Sequence, residues 1–280
     1  MKILILGANG MIGHQLWKYL SFESSNQIYG TVRKDWQFYS QFGIYTKNNL
    51  FSNMDAVNFH SFEKLFNDLN PQVILNCIGI TLRKTDLKDS LKTIEVNGVF
   101  PHKIQNWCHK NNSKLIHFST DCVFDGQSGY YNEESLPSAK DIYGKTKFLG
   151  EVTYGNALTL RTPVIGPELE GKTELLEWFL GQKNTKVKGF SKVIYSGTTT
   201  LNLSKEIYNI IQNHPSLCGL YHISGPEISK FDLLTMINKY IDNKVDIEDF
   251  SEIVSNKSLD CSKYSLATNY IPPSWEDMIF

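Results

Sequence analysis

The stretch Lys2-Ile-Leu-Ile-Leu-Gly7-Ala-Asn-Gly10-Met-Ile-Gly13 decides the fold of this chain. A compact apolar run that ends in glycine predicts a buried strand, and the apolar residues after Gly10 recur at helical spacing. The glycines allow a tight turn, close approach of a pyrophosphate and close packing of helix on strand, although glycine also ends strands for steric reasons. Free N–H groups at the start of the helix attract phosphate. The stretch therefore predicts a dinucleotide site that uses Gly7, Gly10, Met11, Ile12 and Gly13.

The alternation of strands and helices continues over the first 162 residues. Further strands are predicted at 27–32, 72–77, 114–119 and 157–162, and helices at 11–20, at 62–69 with Ser61 as the cap, and up to about residue 110 with a break around Gly98 and Pro101. A further helix carries Tyr143. This order predicts an α/β fold, with a Rossmann-type doubly wound parallel sheet covered on both faces.

The regular alternation of strands and helices ends after Pro163. Gly- and Lys-rich segments lead to a predicted helix at 202–212, a strand at 220–224, a helix from Ser229 and an irregular tail that contains Trp275. We expect a dinucleotide-binding domain of residues 1–162 with about 196–218, and a smaller C-terminal substrate-binding lobe of about 163–195 and 219–280. The chain would cross back to the sheet once.

Composition excludes several classes of protein. The chain has 280 residues, 41% of them apolar, and a net charge of −1 without a basic stripe, so no nucleic-acid partner is expected. The opening apolar run stops at Gly7, and no other run is long enough to cross a bilayer, so no membrane partner and a cytoplasmic location are expected. Five cysteines without a Cys-x-x-Cys pair and seven histidines without ligand spacing predict no metal site.

The residues after the second strand bear on cofactor choice. An acidic residue at this position binds the ribose 2′-hydroxyl of NAD, whereas an arginine suits the 2′-phosphate of NADP. The chain has Thr31-Val32-Arg33-Lys34-Asp35. Because Arg33 and Lys34 come first, NADPH is favoured, while Asp35 keeps NADH open. The simpler interpretation is that Arg33 is only a solvated surface charge.

A Tyr-x-x-x-Lys pattern occurs twice, at Tyr143/Lys147 and at Tyr240/Lys244. Chance alone explains about one such match in a chain of this composition. Tyr143 follows a Ser119-Thr120 pair at the end of a predicted sheet strand, where ligands collect in open α/β folds. Tyr240 has no such partner, so Tyr240/Lys244 is expected to be a surface pair at a helix end.

The first pair has a concrete chemistry. A phenol has an ordinary pKa of about 10, so forming phenolate at neutral pH costs about 4 kcal/mol. Lys147 lies one helical turn from Tyr143, and its ammonium, helped by the positive nicotinamide ring of an oxidised cofactor, is expected to lower the pKa of the phenol towards working pH. Thr120 can hydrogen-bond the reacting oxygen. The sequence therefore predicts acid–base catalysis by Thr120, Tyr143 and Lys147, against the alternative of an ordinary exposed helix face.

These residues resemble a known family. The chain is similar to the extended short-chain dehydrogenase/reductases in a series of short signatures. These are Gly7 to Gly13, Leu75-Asn-Cys77-Ile78-Gly79-Ile-Thr81, Glu95-Val-Asn97, Ser119-Thr120-Asp-Cys122-Val-Phe-Asp-Gly126, Tyr143 to Lys147 with Gly150-Glu151, Leu259 to Lys263 and Pro273-Ser-Trp275. Within that group, the chain resembles the dTDP-4-dehydrorhamnose reductase branch over essentially its whole length.

The resemblance implies roles for residues in this sequence. It implies a catalytic triad of Thr120, Tyr143 and Lys147. It places Arg33 and Asp55 near the adenosine side of the cofactor, and Cys77, Ile78 and Gly79 along its path. It further implies a nucleotide diphosphate sugar substrate held by segments after Pro163 and Tyr221. A homodimer and a need for Mg²⁺ stay open.

The chain also departs from the family pattern. Cys122 stands where the family usually has tyrosine, and Gly79-Ile80 replaces the usual alanine-tyrosine pair. The segment 82–86 lacks the acidic helix start common in the group. The triad is intact, so the expected reaction is NADPH-dependent reduction of a 4-keto group on a deoxy-sugar nucleotide, while the departures put the identity of the sugar in doubt.

Two other functions stay open. An epimerase or dehydratase of the same extended class would use the Tyr–Lys pair but recycle a bound NAD. A non-catalytic regulatory relative would keep the fold without the reaction, although such a protein need not retain Thr120, Tyr143 and Lys147.

Overall fold

The computed structural model describes residues 1–81, 89–182, 185–242 and 244–279. Within these ranges, seven parallel strands form the large sheet: β1 (Lys2–Leu6), β2 (Gln27–Thr31), β3 (Leu50–Phe51), β4 (Val73–Asn76), β5 (Lys114–Ser119), β6 (Leu158–Arg161) and β11 (Gly219–His222). Their order across the sheet is β11-β6-β5-β4-β1-β2-β3. The order reverses at β1, which opens a crevice at the carboxyl ends of β1 and β4. The predicted fold class is confirmed.

Helices cover both faces of this sheet. The helices of the described ranges are α1 (Met11–Glu23), α2 (Trp36–Ser40), α3 (Phe59–Leu69), α4 (Ser90–Thr93), α5 (Phe100–Lys110), α6 (Ile142–Leu149), α7 (Leu175–Leu180), α8 (Thr200–Asn213), α9 (Lys230–Asn238), α10 (Ser262–Thr268) and α11 (Trp275–Ile279), of which α7, α9 and α11 pack in a separate apolar cluster away from this sheet. Side chains alternate along a strand, so Ile3 and Ile5 pack on the α1 and α8 side, whereas Leu4 and Leu6 pack on the α3 and α5 side. All four are fully buried.

A smaller lobe follows β6. It contains β7 (Val164–Ile165), β8 (Lys186–Phe190), β9 (Val193–Tyr195), β10 (Thr198–Thr199), β12 (Ile228–Ser229), β13 (Asp246–Phe250) and β14 (Ser255–Asn256). These strands form small sheets, in which β9 lies between β12 and β14 and β8 pairs with β13. Phe179, Leu233 and Trp275 belong to a separate apolar cluster. The lobe therefore has a core of its own beside the carboxyl edge of the large sheet.

The helical stretch before residue 110 is continuous instead of broken. A π-helical turn, Ile94–Val99, joins α4 to α5. Pro101 lies in the first turn of α5, directly after the π-helical turn. A Cβ on Gly98 would lie 3.5 Å from Cβ of Leu149, an ordinary van der Waals distance, so packing against α6 does not require glycine at this position.

Other boundaries also differ from expectation. The N-cap of α3 is Asn58, and Ser61 lies inside the first turn, where its hydroxyl accepts a hydrogen bond from the Asn58 amide at 2.8 Å. Asn70 ends this helix in a left-handed conformation, with φ 50°. The C-terminal tail, which was expected to be irregular, contains the short helices α10 and α11.

The strand β11 crosses the boundary that the sequence suggested. Residues from 219 onward were expected in the smaller lobe, yet Gly219–His222 pairs in parallel with β6 at the edge of the large sheet. Tyr264 and Tyr270 pack into the apolar cluster beneath the same sheet. By pairing with β6, this late strand satisfies the backbone N–H and C=O groups along the outer edge of β6.

Candidate active site

The loop between β1 and α1 presents backbone N–H groups at the carboxyl edge of the sheet. Gly7 is left-handed, with φ +73°, and a Cβ on Gly13 would lie 2.1 Å from the Gly7 carbonyl oxygen. Of the side chains described, none caps the first turn of α1. Its N–H groups therefore need acceptors from elsewhere, and the loop has the shape and polarity of an anion site.

A cavity of about 130 Å³ lies beside this loop. The residues around it include Gly7, Gly10, Arg33, Asp55, Cys77, Ile78 and Gly79. The sequence assigned these residues to the cofactor loop, the adenosine side and the cofactor path, and the structure brings them around one cavity. Asp35 has another role, since its Oδ1 accepts a hydrogen bond from the backbone N–H of Phe38 at 2.9 Å and caps α2.

A larger cavity of about 450 Å³ lies between the sheet edge and the smaller lobe; we call it the chamber. Met11 and Ile12 line it from the first turn of α1, and Cys77, Ile78 and Gly79 line both this chamber and the smaller cavity. Thr120, Tyr143 and Lys147 also line the chamber. The structure thus brings together the residues of both motifs, which lie far apart in the sequence.

Thr120 directly follows β5. Its hydroxyl accepts a hydrogen bond from the backbone N–H of Cys122 at 3.1 Å and donates one to Oδ1 of Asp121 at 3.0 Å. These bonds fix the hydroxyl at the rim of the sheet, where it faces the chamber. Burial raises the pKa of Asp121, and the Thr120 and Cys122 contacts oppose that rise.

Lys147 lies on the buried face of α6, a helix capped by the Asp141 carboxylate. Its Nζ donates a hydrogen bond to the Phe118 carbonyl oxygen at 2.6 Å. Burial lowers the pKa of Lys147 to about 8, although nearby Glu151 acts in the opposite direction. The side chain is 5% exposed. Lys147 is therefore a cation held in a poorly solvated position.

Tyr143 lies one turn before Lys147 on the same helix. Burial raises the pKa of Tyr143 well above its ordinary value, Cys122 and Asp121 raise it further, and the Thr120 hydroxyl lowers it. Loss of solvation of the phenolate dominates over the nearby charges of the protein, so the expected lowering of this pKa by Lys147 together with an oxidised nicotinamide ring stays a prediction. The phenol is therefore protonated at neutral pH, which is the form that donates a proton.

A buried ion pair supports the strand ends beneath the chamber. Arg161 binds Glu151 through two hydrogen bonds of 2.7 Å each, and the two side chains are 2% and 4% exposed. Ser119 donates a hydrogen bond to the same carboxylate at 2.7 Å. This network ties the ends of β5 and β6 to the segment that follows α6, so it fixes the position of α6.

Asn97 holds the loop after β4 against α6. Its Oδ1 accepts a hydrogen bond from the Ile80 N–H at 2.8 Å, and its Nδ2 donates to the Ile80 carbonyl at 3.0 Å and to the Thr146 hydroxyl at 3.3 Å. The sequence singled out Asn97 only as part of a family signature. The structure gives the asparagine a physical role in shaping the wall made by Cys77 to Gly79.

Further chamber residues lie in or next to the smaller lobe and carry no motif in the sequence. These are Thr162, Glu174, Tyr195, Lys230, Ser255 and Lys257, among others. Thr162 is buried, and its hydroxyl has no partner among the described residues. No spacing in the sequence signals these positions, because they arrive on separate segments of an irregular lobe.

The second Tyr–Lys match lies outside this site. Tyr240 is 60% exposed just beyond α9, and Lys244 donates hydrogen bonds to the carbonyls of Asn238 and Lys239 at 2.7 and 2.8 Å. The interpretation as a surface pair at a helix end is confirmed. Of the family departures, Cys122 and Gly79 line the chamber, whereas the segment 82–86 lies outside the described residues.

The described ranges contain no group of three or more histidine, cysteine, aspartate or glutamate side chains arranged to hold a metal ion. In the same ranges, every helix is too short or too polar to span a lipid bilayer.

The family comparison covers nearly the whole chain. The family model described as RmlD substrate binding domain matches residues 1–278. The chain is 26% identical over 302 residues to the dTDP-4-dehydrorhamnose reductase of Aggregatibacter actinomycetemcomitans, covering 98% of this chain and 96% of that protein. It is also 26% identical over 246 residues to the methionine adenosyltransferase 2 subunit beta of Xenopus tropicalis, covering 83% of this chain and 70% of that protein.

A solved structure has the same fold. The dTDP-4-dehydrorhamnose reductase of Bacillus anthracis, in complex with NADP, superposes with a TM-score of 0.79 at 22% identity and covers 99% of this chain and 96% of its own. The chain therefore belongs to the RmlD substrate-binding domain family, within the extended short-chain dehydrogenase/reductases.

Proposed function

We propose that this protein is an NADPH-dependent reductase of the 4-keto group of a deoxy-sugar nucleotide. The observation that carries the proposal is the convergence of Thr120, Tyr143 and Lys147 on one chamber with Met11 and Ile12 at the start of α1. A proton donor, a cation and the anion-binding start of α1 therefore all border the chamber. Membership of the RmlD family and similarity to the Aggregatibacter reductase support the same reaction.

The residues of this chain fit a nicotinamide dinucleotide. The Gly13 position leaves no room for a Cβ beside the Gly7 carbonyl, so the loop and helix close into a bare backbone cradle. Cys77, Ile78 and Gly79 line both cavities. In this proposal an extended dinucleotide runs past these three residues from one cavity into the other. In this proposal Gly7, Gly10, Met11, Ile12 and Gly13 hold the pyrophosphate, and Arg33 and Asp55 contact the adenosine side.

The chemistry divides between cofactor and side chains. Bound NADPH supplies the hydride that reduces the carbonyl carbon. Thr120 turns its single hydroxyl proton from Asp121 to the carbonyl oxygen and so orients the carbonyl. Tyr143, protonated because burial raises its pKa, gives its phenolic proton to the same oxygen as negative charge develops there. Lys147 stabilises the resulting phenolate by its positive charge.

The smaller lobe supplies features that suit a nucleotide diphosphate sugar. Lys230 and Lys257 line the same chamber as the triad, and ammonium groups bind phosphate. Tyr195 lines the same wall with an aromatic ring that can contact a sugar or a base. A cavity lined by both cations and a proton donor suits a charged diphosphate joined to a reactive sugar.

Arg33 supports NADPH over NADH, because it lines the smaller cavity whereas Asp35 is used to cap α2. The structural neighbour from Bacillus anthracis is in complex with NADP. We further propose that the protein acts in the cytoplasm as a homodimer. Its cysteines are free thiols in the structure, as is usual for proteins of a reducing compartment.

An epimerase or dehydratase with a retained NAD is the nearest alternative. Such an enzyme would use the same Tyr143 and Lys147 but would regenerate its cofactor in each turnover. Net consumption of added NADPH therefore distinguishes the reductase from this alternative.

A non-catalytic subunit is the second alternative, and similarity to the methionine adenosyltransferase 2 subunit beta favours it. Retention of Thr120, Tyr143 and Lys147 around an open chamber argues against it. A stable complex with a second enzyme, without turnover of any ketosugar, is the result that this alternative predicts.

The proposal is tested with a panel of nucleoside diphosphate 4-keto-6-deoxy sugars. We expect loss of NADPH absorbance in proportion to the sugar nucleotide added, with one member of the panel turned over fastest. A panel that leaves NADPH unconsumed, with folded protein that binds NADPH, would contradict the proposed reaction.

A further inference from the structure

Glu170 connects the smaller lobe to the cofactor side of the large sheet. Its Oε1 accepts a hydrogen bond from Asn9 Nδ2 at 2.8 Å, and its Oε2 accepts one from Lys34 Nζ at 2.7 Å. Burial raises the pKa of Glu170, but hydrogen bonds from Lys34, Tyr39 and Asn9 outweigh that effect and leave the pKa below its ordinary value. Glu170 is therefore an ionised carboxylate held by three donors.

The two ends of the segment 168–174, which carries Glu170, are joined by hydrogen bonds. Glu168 accepts hydrogen bonds from the backbone N–H groups of Thr173 and Glu174 at 2.7 and 2.8 Å. At the far end of the segment, Glu174 accepts a hydrogen bond from the Thr81 hydroxyl at 3.2 Å. Leu169 packs against the main apolar cluster. These contacts fix the backbone on both sides of Glu170, so its carboxylate is presented at a defined position.

Lys34 is fixed by the same contact. It follows Arg33 at the end of β2, which is the position where cations bind an adenosine 2′-phosphate in this type of fold. Its Nζ is paired with Glu170 and lies 3.5 Å from the centre of the Phe38 ring. A cation neutralised in this way contributes less attraction to an incoming phosphate, and the carboxylate itself repels one.

Asn9 links the carboxylate to the adenosine side. This residue belongs to the glycine loop and lines the smaller cavity together with Arg33. The carboxylate of Glu170 therefore contacts a residue of that cavity and a cation at its edge at the same time. A negative charge at this position acts on the adenosine end of the dinucleotide, far from Tyr143.

We propose that Glu170 is a specificity-determining residue, which weakens the preference of the cofactor site for a 2′-phosphorylated dinucleotide by holding Lys34 in an ion pair. The inference rests on the proposed function, since it requires that a nicotinamide dinucleotide binds. Removal of the carboxylate frees Lys34 for the 2′-phosphate and removes a repulsive charge. The effect is selective, because NADH lacks the group that Lys34 would bind.

The test compares binding of NADPH and NADH by fluorescence titration in the wild type and in Glu170→Gln. The fragments 2′,5′-ADP and 5′-AMP, titrated by calorimetry, isolate the adenosine end. We expect Glu170→Gln to tighten NADPH and 2′,5′-ADP binding about fivefold, and to change NADH and 5′-AMP binding less than twofold. Adding Lys34→Met to Glu170→Gln should abolish that gain.

The matched control is Glu248→Gln, which removes another lysine-paired glutamate, bound to Lys186 at 3.2 Å within the smaller lobe. It should leave all four affinities unchanged. Equal weakening of both cofactors in Glu170→Gln would mean that the residue only holds the segment in place, and an unchanged ratio would also overturn the inference. A wild type that binds neither dinucleotide would instead contradict the proposed cofactor function itself.

Discussion

Lys147 donates a 2.6 Å hydrogen bond to the carbonyl of Phe118, in the strand that ends just before Thr120. The bond ties the helix of the proton donor to the strand of the orienting hydroxyl. Because Lys147 is buried, its ammonium has little solvent to stabilise it. Lys147 therefore loses its positive charge at a lower pH than an exposed lysine does, within the mildly alkaline range.

The pH profile of reduction should report this lysine. Burial lowers the pKa of Lys147 to about 8, so the ammonium is present below that pH and is lost above it. We expect kcat/KM for reduction to be level between pH 6 and about 7.5 and to fall about tenfold per unit well above pH 8. The measurement is initial-rate kinetics across this range. A profile that stays level to pH 10 would contradict the role of Lys147.

Removal of the same charge should stabilise the fold. Between pH 8 and the ordinary pKa of lysine the unfolded chain binds more protons, so stability rises with pH across that window. At pH 7 the buried ammonium is therefore a cost, and Lys147→Met should raise the free energy of unfolding by about 1–2 kcal/mol while abolishing turnover. Urea unfolding at pH 7 measures the change, and a loss of stability would contradict it.

The buried pair of Glu151 and Arg161 should be sensitive to loss of one partner. Glu151→Gln leaves the Arg161 charge uncompensated in the interior, so we expect a loss of about 3 kcal/mol in the free energy of unfolding. Glu248→Gln, at an exposed pair, should change it by less than about 0.5 kcal/mol. Similar values for the two variants in chemical denaturation would argue against a structural role for the buried pair.

The glycine loop offers a pair of substitutions of equal size. A Cβ on Gly13 would meet the Gly7 carbonyl oxygen at 2.1 Å, whereas one on Gly10 would have its nearest neighbour at 3.4 Å. Gly13→Ala should therefore destabilise the protein by about 2 kcal/mol or more and abolish NADPH binding, while Gly10→Ala should fold with a loss below about 1 kcal/mol. Thermal unfolding with dinucleotide titration separates the two. Equal stability of both variants would contradict the packing argument.

Local patterns predicted the elements of the large sheet. Strands such as Lys2–Leu6 are short apolar runs bounded by glycine, and this signal depends on nearby residues alone. The strand Gly219–His222 was assigned to the wrong side of a boundary because its place depends on β6, which lies about sixty residues earlier. Pairing between distant segments leaves no mark in the sequence of either strand.

The site divides in the same way. Thr120, Tyr143 and Lys147 follow recognisable motifs, and the structure brings them to one chamber. Glu174 lines the chamber and Glu170 contacts Asn9 and Lys34, and both lie on an irregular segment with no motif, so no sequence pattern predicted a role for either residue. The burial that raises the pKa of Tyr143 could not be predicted from the sequence for a related reason, since burial is a property of the folded chain.

The most direct test of the central claim is a comparison of the wild type with Tyr143→Phe. Each protein is titrated with NADPH and then mixed with a nucleoside diphosphate 4-keto-6-deoxy sugar while NADPH absorbance is followed. We predict that Tyr143→Phe binds NADPH within about twofold of the wild type and reduces the sugar at least about a hundredfold more slowly, because only the proton donor is missing. Turnover of Tyr143→Phe at the wild-type rate would contradict the assignment of this phenol as the acid of the reaction.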